Sequence, residues 1–425
     1  MAMKVLLKSV KIVDATNPQN GKIVDILIKG GKIEKIGKSI KAETGLKVIE
    51  EKGLCVSKGW IDLQANLQDP GYEHKEDIQS GLKAAAAGGF TKVCVSPLTE
   101  PVRDAKDQIQ YIIKQSSESA VELLPYASLS KKAQGDELSE FYDLKQAGAV
   151  AFTDDRNSIK NPNLLKNALL YSKSMDALVM NFPYQTDISP NGVVNEGEQS
   201  TLLGLKGIPK LAEELMVKRD LYLQEYCGGK LHFSTLSSAK SIDMISTAKK
   251  AGAAVSCDMA SYQLLLSDEE LSSYDTRFKT LPPLRSKDEI KELIKAVKQG
   301  KVDALSSNHL PEDIDSKKKE FDLSSFGVIN LQTAVPAAIT ALEGKVDLAD
   351  VISLFTDGPA RILEIDQPKI AEGETANLTL FNPNEGFIFE KEDVLSKSQN
   401  SPFFNRNLKG KVYGIISGNK MELQD

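Results

Sequence analysis

Two adjacent aspartates and three histidines are the first residues of this sequence to consider for metal or acid–base chemistry. Asp154 and Asp155 follow the apolar run AVAFT, and the histidines are His74, His232 and His309. Neutral imidazoles and carboxylates hold zinc and move protons near neutral pH. The histidines share no H-x-H spacing, so we expect each to be an ordinary hydrogen-bonded side chain. The aspartate pair could supply a ligand, or it could cap the following turn.

The four cysteines are further candidate ligands. They are Cys55, Cys94, Cys227 and Cys257, and they form no C-x-x-C pair and no zinc-type spacing. We therefore expect buried, reduced thiols rather than a disulfide or a metal site.

The composition of the chain is that of an ordinary globular protein. It has 425 residues, of which 41% are hydrophobic and 26% are charged. A net charge of -6 and a pI near 5.5 argue against nucleic acid or an anionic membrane as the main partner. The N-terminal segment resembles no signal peptide, and no stretch approaches the ~18 apolar residues of a membrane span. We expect a cytoplasmic protein.

The middle of the chain alternates short apolar runs with amphipathic helical stretches. The runs are WIDLQANL, TKVCVS, VELLPYA, AVAFT, ALVMNF, KLHFST, AAVSCDM and VDALSS. Stretches such as KDEIKELIKAVKQG lie between them. Eight β-then-α units over about 280 residues are the period and length of a (β/α)8 TIM-type barrel, a variety of α/β fold. We place this barrel at residues 56–365.

Both ends of the chain contain short β-branched runs separated by glycine turns. KVLLKSVKIVD and DILIKGGKIEKIG lie near the start, and NLTLFNP and KVYGIISGNKMEL lie near the end. Neither end has enough strands to bury a sheet face alone. We predict that residues 1–55 and 366–425 together form one small β domain.

The carboxyl ends of the barrel strands are where such a barrel places its chemistry. The segments to inspect are therefore 64–71, 96–99, 153–157, 182–185, 234–237, 258–263 and 306–312.

These strand ends lie within a series of recognisable motifs. In order they are WIDLQANLQDPGYEHKEDIQSGLKAAAAGGFTKVCVSP, AVAFTDD, NEGEQSTLLGLKGIPKLAEE, HFSTLSSAKS, FKTLPPLR, SSNHLPED and NSPF. Together they resemble the dihydroorotases of the metal-dependent amidohydrolase superfamily. The resemblance implies hydrolysis or formation of a cyclic amide in pyrimidine biosynthesis. It also implies zinc, which lowers the pKa of a bound water from 15.7 to about 7.

Other residue types stand at five of the six positions where the resemblance implies metal ligands, and only the acidic position after the fourth barrel strand keeps its type. These family positions are Gln64, Asn66, Phe182, Thr235, Asn308 and Asp154, with Asp155 as the alternative to Asp154. Amides and hydroxyls are poor zinc ligands beside imidazole and carboxylate, and a phenyl ring is none at all. Asn308 stands where the family has its catalytic aspartate. We therefore expect no intact catalytic group and no zinc cofactor.

The positions that the resemblance implies for binding the substrate carboxylate also carry residue types different from those of the family. Gln68, Leu98 and Glu312 stand where the family has an arginine, an asparagine and a histidine. The bidentate cation is lost, and we expect Glu312 to repel a carboxylate.

These replacements favour a catalytically inactive dihydroorotase homologue that serves as a structural or regulatory partner. The resemblance points to aspartate transcarbamoylase or an active dihydroorotase as the partner, and we expect a homo-oligomer, in the simplest case a dimer. The alternative is an active cyclic-amide hydrolase with a rebuilt, atypical metal site. Its candidate groups are Asp154, Asp155, His232, Asp258, His309 and Glu312. A third possibility, a solute-binding module, has no specific feature in its favour.

Overall fold

The computed structural model describes residues 3–424, and its β-strands fall into three sheets. The strands are β1 (Lys4–Ile12), β2 (Ile23–Lys29), β3 (Lys32–Gly37), β4 (Lys47–Ile49), β5 (Cys55–Lys58), β6 (Trp60–Ala65), β7 (Phe90–Val95), β8 (Glu122–Ala127), β9 (Ala151–Phe152), β10 (Leu178–Asn181), β11 (Val194–Asn195), β12 (Gly207–Ile208), β13 (Lys230–Phe233), β14 (Val255–Ala260), β15 (Ala304–Ser306), β16 (Asn377–Phe389), β17 (Arg406–Ser417) and β18 (Lys420–Leu423).

The α-helices lie mostly between the strands of the middle region. They are α1 (Ile78–Ala87), α2 (Lys106–Gln115), α3 (Phe141–Gln146), α4 (Pro162–Ser174), α5 (Glu198–Leu203), α6 (Leu211–Cys227), α7 (Ala239–Lys250), α8 (Lys287–Lys298), α9 (Ile314–Lys317), α10 (Ala334–Leu342), α11 (Leu348–Ser353) and α12 (Asp357–Leu363).

Eight parallel strands form the barrel, in the order β15-β14-β13-β10-β9-β8-β7-β6. Backbone hydrogen bonds bring the first and last strands together: Asn66 N donates to His309 O at 2.9 Å, and His309 N donates to Gln64 O at 3.1 Å. Each of the eight predicted apolar runs is one of these strands. The strand interiors are buried on both faces, which is why they read as continuous apolar runs. The predicted (β/α)8 barrel is confirmed.

The two ends of the chain share a second sheet, as predicted. Its order is β18-β17-β16-β5-β1-β2-β3, with β4 paired to β1. The N-terminal and C-terminal parts meet where β5 pairs antiparallel with β16. β5 extends this sheet to Lys58, slightly past the predicted boundary at residue 55. The exact domain bounds stay a prediction.

The junction between barrel and sheet is aromatic. Trp60 is fully buried, and its ring centroid lies 6.3 Å from that of Phe90 on β7 and 5.2 Å from that of Phe381 on β16. Trp60 Nε1 donates to Ser57 Oγ at 2.9 Å. One side chain therefore packs against strands from both units.

Two further findings concern residues 3–424. The four cysteines are free and buried, as expected. No helix in this range combines the length and the apolar character needed to cross a bilayer.

Candidate functional site

The mouth of the barrel, at the carboxyl ends of its strands, brings together the positions singled out in the sequence. Gln64 lies on β6, and Asn66 follows it two residues later, so both point to the same side. Their exposed fractions are 4% and 3%. The Nδ2 of Asn66 has no hydrogen-bond partner within residues 3–424.

Asp155 is the aspartate that lies beside Gln64. Its Oδ1 accepts a hydrogen bond from Gln64 Nε2 at 2.5 Å, and its Oδ2 accepts one from the Ser96 hydroxyl. The Asp155 carboxylate therefore accepts two hydrogen bonds, one from a side chain at the end of β6 and one from a side chain at the end of β7.

Asp154 is turned away into the loop after β8. Its carboxylate accepts hydrogen bonds from Ser128 Oγ at 2.8 Å, from Ser130 N at 2.9 Å and from the Ser130 hydroxyl. Burial raises the pKa of Asp154, and these hydrogen bonds partly offset the shift. Of the two aspartates that the sequence leaves open, Asp155 is the one that reaches the centre of the mouth.

Asn308 follows β15, the strand next to β6 in the closed barrel, and it is held in place by Tyr262. Asn308 Nδ2 donates to the Tyr262 hydroxyl at 2.7 Å and to Leu281 O at 3.3 Å. Burial raises the pKa of Tyr262, so its hydroxyl keeps its proton at neutral pH. The amide thus bonds to neighbouring protein groups.

Phe182 and Thr235 occupy the remaining two implied metal positions. Phe182 is buried after β10, with its ring centroid 6.0 Å from that of Tyr184. Thr235 follows β13, and its backbone N–H donates to Asp258 Oδ1 at 2.7 Å.

The backbone of the mouth adopts an unusual conformation at four of these positions. Gln68, Asp155, Thr235 and Asn308 have φ values of 62°, 50°, 56° and 46°. Such left-handed residues other than glycine cost roughly 1–3 kcal/mol each and cluster at functional sites. For β-branched Thr235 the conformation is especially unfavourable. The barrel mouth therefore has left-handed, strained backbone at several positions, as active sites often do.

The side chains at this site do not fit zinc. Zinc prefers imidazole, thiolate and carboxylate ligands at about 2 Å. The implied positions offer two amides at the end of β6, a phenyl ring, a hydroxyl and a third amide. The carboxylate of Asp155 accepts hydrogen bonds from Gln64 and Ser96, and the carboxylate of Asp258 lies against Thr235. Within residues 3–424 no group of three or more His, Cys, Asp or Glu side chains has an arrangement suited to a metal ion.

The three implied carboxylate-binding positions lie beside the mouth. Gln68 Nε2 donates to Pro311 O at 3.3 Å, and Leu98 contributes a backbone N–H to Ser96 Oγ at 3.2 Å. Glu312 forms an ion pair with Lys75 at 2.9 Å. This pair offsets the repulsion that the sequence alone predicts for Glu312, because Lys75 compensates its charge.

The histidines have separate structural partners. His232 Nε2 lies 3.2 Å from Asp258 Oδ1, inside the barrel. His309 Nδ1 accepts from Asn330 N at 3.0 Å, and its Nε2 lies 3.5 Å from Glu76. His74 is exposed. The histidines considered for a rebuilt metal site therefore contact different neighbours and do not share one site.

Sequence reasoning missed Ser96 and Tyr262 as members of this site. Both lie in the strand-end segments selected for inspection, so their neighbourhood was predictable. Their bonds to Asp155 and Asn308 join residues 59 and 46 positions apart in the chain, and no local pattern encodes them.

Comparison of the sequence with known proteins identifies related chains. A family model described as dihydro-orotase-like matches residues 53–241. The chain is 38% identical over 419 residues to a dihydroorotase of Acetivibrio thermocellus, with 98% of each chain covered. It is 37% identical over 423 residues to a dihydroorotase of Geobacter metallireducens, with 99% of each chain covered.

The chain belongs to the dihydroorotase family. The resemblance inferred from the sequence motifs is thereby confirmed.

Solved structures of more distant proteins share the fold of this dihydroorotase homologue. An L-hydantoinase (dihydropyrimidinase) from Arthrobacter aurescens matches with a TM-score of 0.86 at 20% identity, covering 100% of this chain and 98% of that chain. A dihydropyrimidinase from Brevibacillus agri NCHU1002 matches with a TM-score of 0.81 at 20% identity, covering 99% and 95%. At these identities the match concerns the fold alone.

Proposed function

We propose that this dihydroorotase homologue is catalytically inactive and acts as a structural or regulatory partner in pyrimidine biosynthesis. The observation that carries the proposal is the set of side chains at the mouth. Amide, hydroxyl and phenyl groups stand at five implied ligand positions, and two of the amides bond to Asp155 and Tyr262.

The energetic consequence for hydrolysis is large. Lowering the pKa of water from 15.7 to about 7 is worth about 12 kcal/mol of hydroxide availability. Positioning of the substrate by the remaining groups offsets little of that loss. The scaffold supports no metal-activated water with these side chains.

The intact scaffold supports a role that depends on shape. A Cβ added at Gly88 would meet Leu331 O at 2.1 Å, and one added at Gly89 would meet the Trp60 ring at 2.5 Å. Neither position accepts a side chain without a shift of the backbone or of the Trp60 ring, so the scaffold is closely packed at these points.

Aspartate transcarbamoylase is the first partner to test, because the family resemblance links dihydroorotase homologues to that enzyme. An active dihydroorotase of the same organism is the second, and self-association into a dimer accompanies both. We expect the purified chain to co-elute with one of the two enzymes in gel filtration, with a shift in elution volume and a stoichiometric complex. Separate elution from both would remove the partner assignment.

Inactivity has its own test. We expect no turnover of dihydroorotate by protein free of contaminating enzyme, and less than about one tenth of an equivalent of zinc after purification without chelator. An active relative purified in the same way is the matched control for both measurements.

A second candidate function is an active cyclic-amide hydrolase with an atypical site. It is favoured by 36–38% identity over the full chain to proteins named dihydroorotase and by the left-handed backbone at Asp155, Thr235 and Asn308. In that case Asp155 is the group on which activity must depend. Turnover that disappears in Asp155→Asn and persists in Asp154→Asn would replace our proposal with this one.

A further inference from the structure

A cavity of about 590 Å³ beside the barrel mouth has an excess of basic side chains in its lining. The cationic residues of the lining are Arg277, Lys317, Lys318, Lys391 and Lys397. The acidic ones are Asp275, Glu312 and Asp313. The whole chain has a net charge of -6, so this excess of positive charge is local. The volume lies within the range of roughly 300–1,000 Å³ that small-molecule sites occupy.

The acidic side chains of the cavity each have a partner. Arg277 Nε donates to Asp275 Oδ2 at 2.9 Å, and Lys75 forms an ion pair with Glu312 at 2.9 Å. Asp313 caps the amino end of α9. The carboxylates of the lining are therefore engaged by other groups of the protein.

Two of the cations lack such a partner. Lys318 and Lys391 are exposed, and neither forms an ion pair within residues 3–424. They come from different parts of the chain, Lys318 just after α9 and Lys391 after β16. Lys397, in contrast, is paired with Asp77 at 2.5 Å. A cavity with unneutralised ammonium groups on two sides attracts anions.

A third ammonium group belongs to the wall of the cavity. Lys317 is buried, and its Nζ donates to two backbone carbonyl oxygens in residues 325–327, at 2.8 and 3.1 Å. An ammonium has three N–H groups, so one of them has no partner among the described residues when Lys317 is protonated. Burial lowers the pKa of Lys317 to about 7, Lys279 adds to this shift, and Glu312 and Asp275 oppose it. An anion in the cavity favours the protonated form in the same way as these two carboxylates.

We propose that this cavity binds a small molecule that carries a phosphate monoester, with the phosphate held between Lys317, Lys318 and Lys391. Ammonium groups bind phosphate oxygens as point charges, whereas a carboxylate suits the planar fork of arginine. Arg277 already holds Asp275 with two of its nitrogens, so the free cations favour a phosphate dianion. The cavity is larger than a phosphate ion, which leaves space for the esterified part of the molecule.

The proposed site is independent of catalysis at the mouth. None of the positions implied for the metal lines the described cavity, and Glu312 is the position implied for the substrate carboxylate that does. A ligand there lies beside the mouth rather than in it. Phosphate binding can therefore be present or absent whether or not the chain turns over dihydroorotate, and the two proposals fail separately.

Isothermal titration calorimetry of the full-length chain tests the proposal with glucose 6-phosphate, adenosine 5′-monophosphate and inorganic phosphate. We expect at least one ester to bind with a dissociation constant below about 1 mM, and inorganic phosphate to bind at least about tenfold more weakly. Glucose and adenosine should not bind, and binding of the ester should weaken as salt rises. Equal affinity for ester and free ion would overturn the assignment of an ester. Absence of binding by all three phosphates at about 10 mM would overturn the site.

Charge reversal at the two unpaired lysines tests the location of the site. Lys318→Glu/Lys391→Glu should raise the dissociation constant of the ester at least about tenfold. Lys319→Glu/Lys38→Glu is the matched control, because both lysines are exposed, neither lines the cavity, and the change in net charge is the same. Circular dichroism and Tm establish that each variant is folded. Equal effects of the two double substitutions would contradict the proposal.

Proton uptake tests the contact with Lys317. At about pH 8 the ester is fully ionised, since its second pKa is about 6. Titrations in two buffers of different ionisation enthalpy should then show uptake of roughly 0.5–1 proton per ester bound, because the anion favours the protonated amine. Lys317→Met should bind more weakly and without this uptake. His74 also lines the cavity, so uptake that persists in Lys317→Met would place the phosphate against another group and refute the contact with Lys317.

Discussion

Several side chains at the barrel mouth form hydrogen bonds with one another. Gln64 and Ser96 donate to Asp155, and Asn308 donates to Tyr262. A buried polar group without a partner costs about 1–3 kcal/mol, so these bonds stabilise the mouth without an ion. Recovering a metal site must therefore replace a connected set of residues.

Restoring the ligands should recover zinc binding before turnover. The change is histidine at Gln64, Asn66, Phe182 and Thr235 with aspartate at Asn308. Imidazoles and two carboxylates then converge, whereas the groups for the substrate carboxylate are still absent at Gln68, Leu98 and Glu312. We expect about one equivalent of zinc by elemental analysis and negligible hydrolysis.

The matched control for this experiment adds Asp155→Ala to the restored chain. Zinc content should fall, because Asp155 is the carboxylate beside Gln64. The same replacement at Asp154 should have less effect on zinc content. Equal losses from the two replacements would contradict the geometry of the mouth.

Lys317 gives a prediction for pH dependence. It is 8% exposed, and its Nζ donates to Ser325 O at 2.8 Å and Gly327 O at 3.1 Å. Burial lowers its pKa to about 7, against the ordinary value of 10.5 in the unfolded chain. Between these values the unfolded state binds more protons, so stability should rise as pH rises.

Chemical denaturation at about pH 7.5 and about pH 9.5 measures the effect. The free energy of unfolding of the wild type should rise relative to Lys317→Met by on the order of 1 kcal/mol per pH unit. Lys318→Met is the matched control, since Lys318 is exposed and adjacent. Identical pH dependence of wild type and Lys317→Met would show that Lys317 does not titrate in this window.

At the scale of elements, Arg103 joins the ends of two barrel strands. Its exposed fraction is 2%, and its Nη1 donates to Val95 O at 3.1 Å, Ser96 O at 2.9 Å and Tyr126 O at 3.4 Å. Because Ser96 contacts Asp155, this arginine also supports the mouth. The strand ends after β7 and β8 depend on a side chain supplied by the following loop.

Replacing this arginine should destabilise the barrel. Arg103→Met leaves three carbonyl oxygens without their donor, so we expect a loss of about 2–4 kcal/mol in the free energy of unfolding. Urea denaturation measures the loss, and Lys106→Met on nearby α2, in an exposed ion pair, should change stability by less than about 0.5 kcal/mol. A similar small change for Arg103→Met would contradict this role.

For the whole molecule, the aromatic junction couples the barrel to the terminal sheet. Trp60 is the single tryptophan of the chain, and it contacts Phe90 in the barrel and Phe381 in the sheet. Its fluorescence therefore reports on the contact between the two units. Unfolding of either unit alters its surroundings.

The two units should unfold together in denaturant. We expect tryptophan fluorescence and far-UV circular dichroism to give coincident transitions. Phe381→Ala should shift both transitions to lower denaturant by the same amount, since it removes a fully buried ring from the junction. A fluorescence change that precedes the loss of secondary structure would mean that the units separate first.

The sequence by itself determined the architecture and the residue types at the positions that the family resemblance implies for the site. Buried strands and amphipathic helices follow from local apolar patterns, so the eight units and the two-ended sheet were predictable. The residue types at Gln64, Asn66, Phe182, Thr235 and Asn308 were also readable directly, and the family resemblance implied a role for each position.

The tertiary structure decided how the remaining side chains are used. It placed Asp155 rather than Asp154 beside Gln64. It also paired Glu312 with Lys75 of the loop after β6, and it placed Tyr262 in contact with Asn308. These contacts join residues far apart in the chain, and their geometry is set by how separate loops meet at one end of the barrel, which local sequence patterns do not encode.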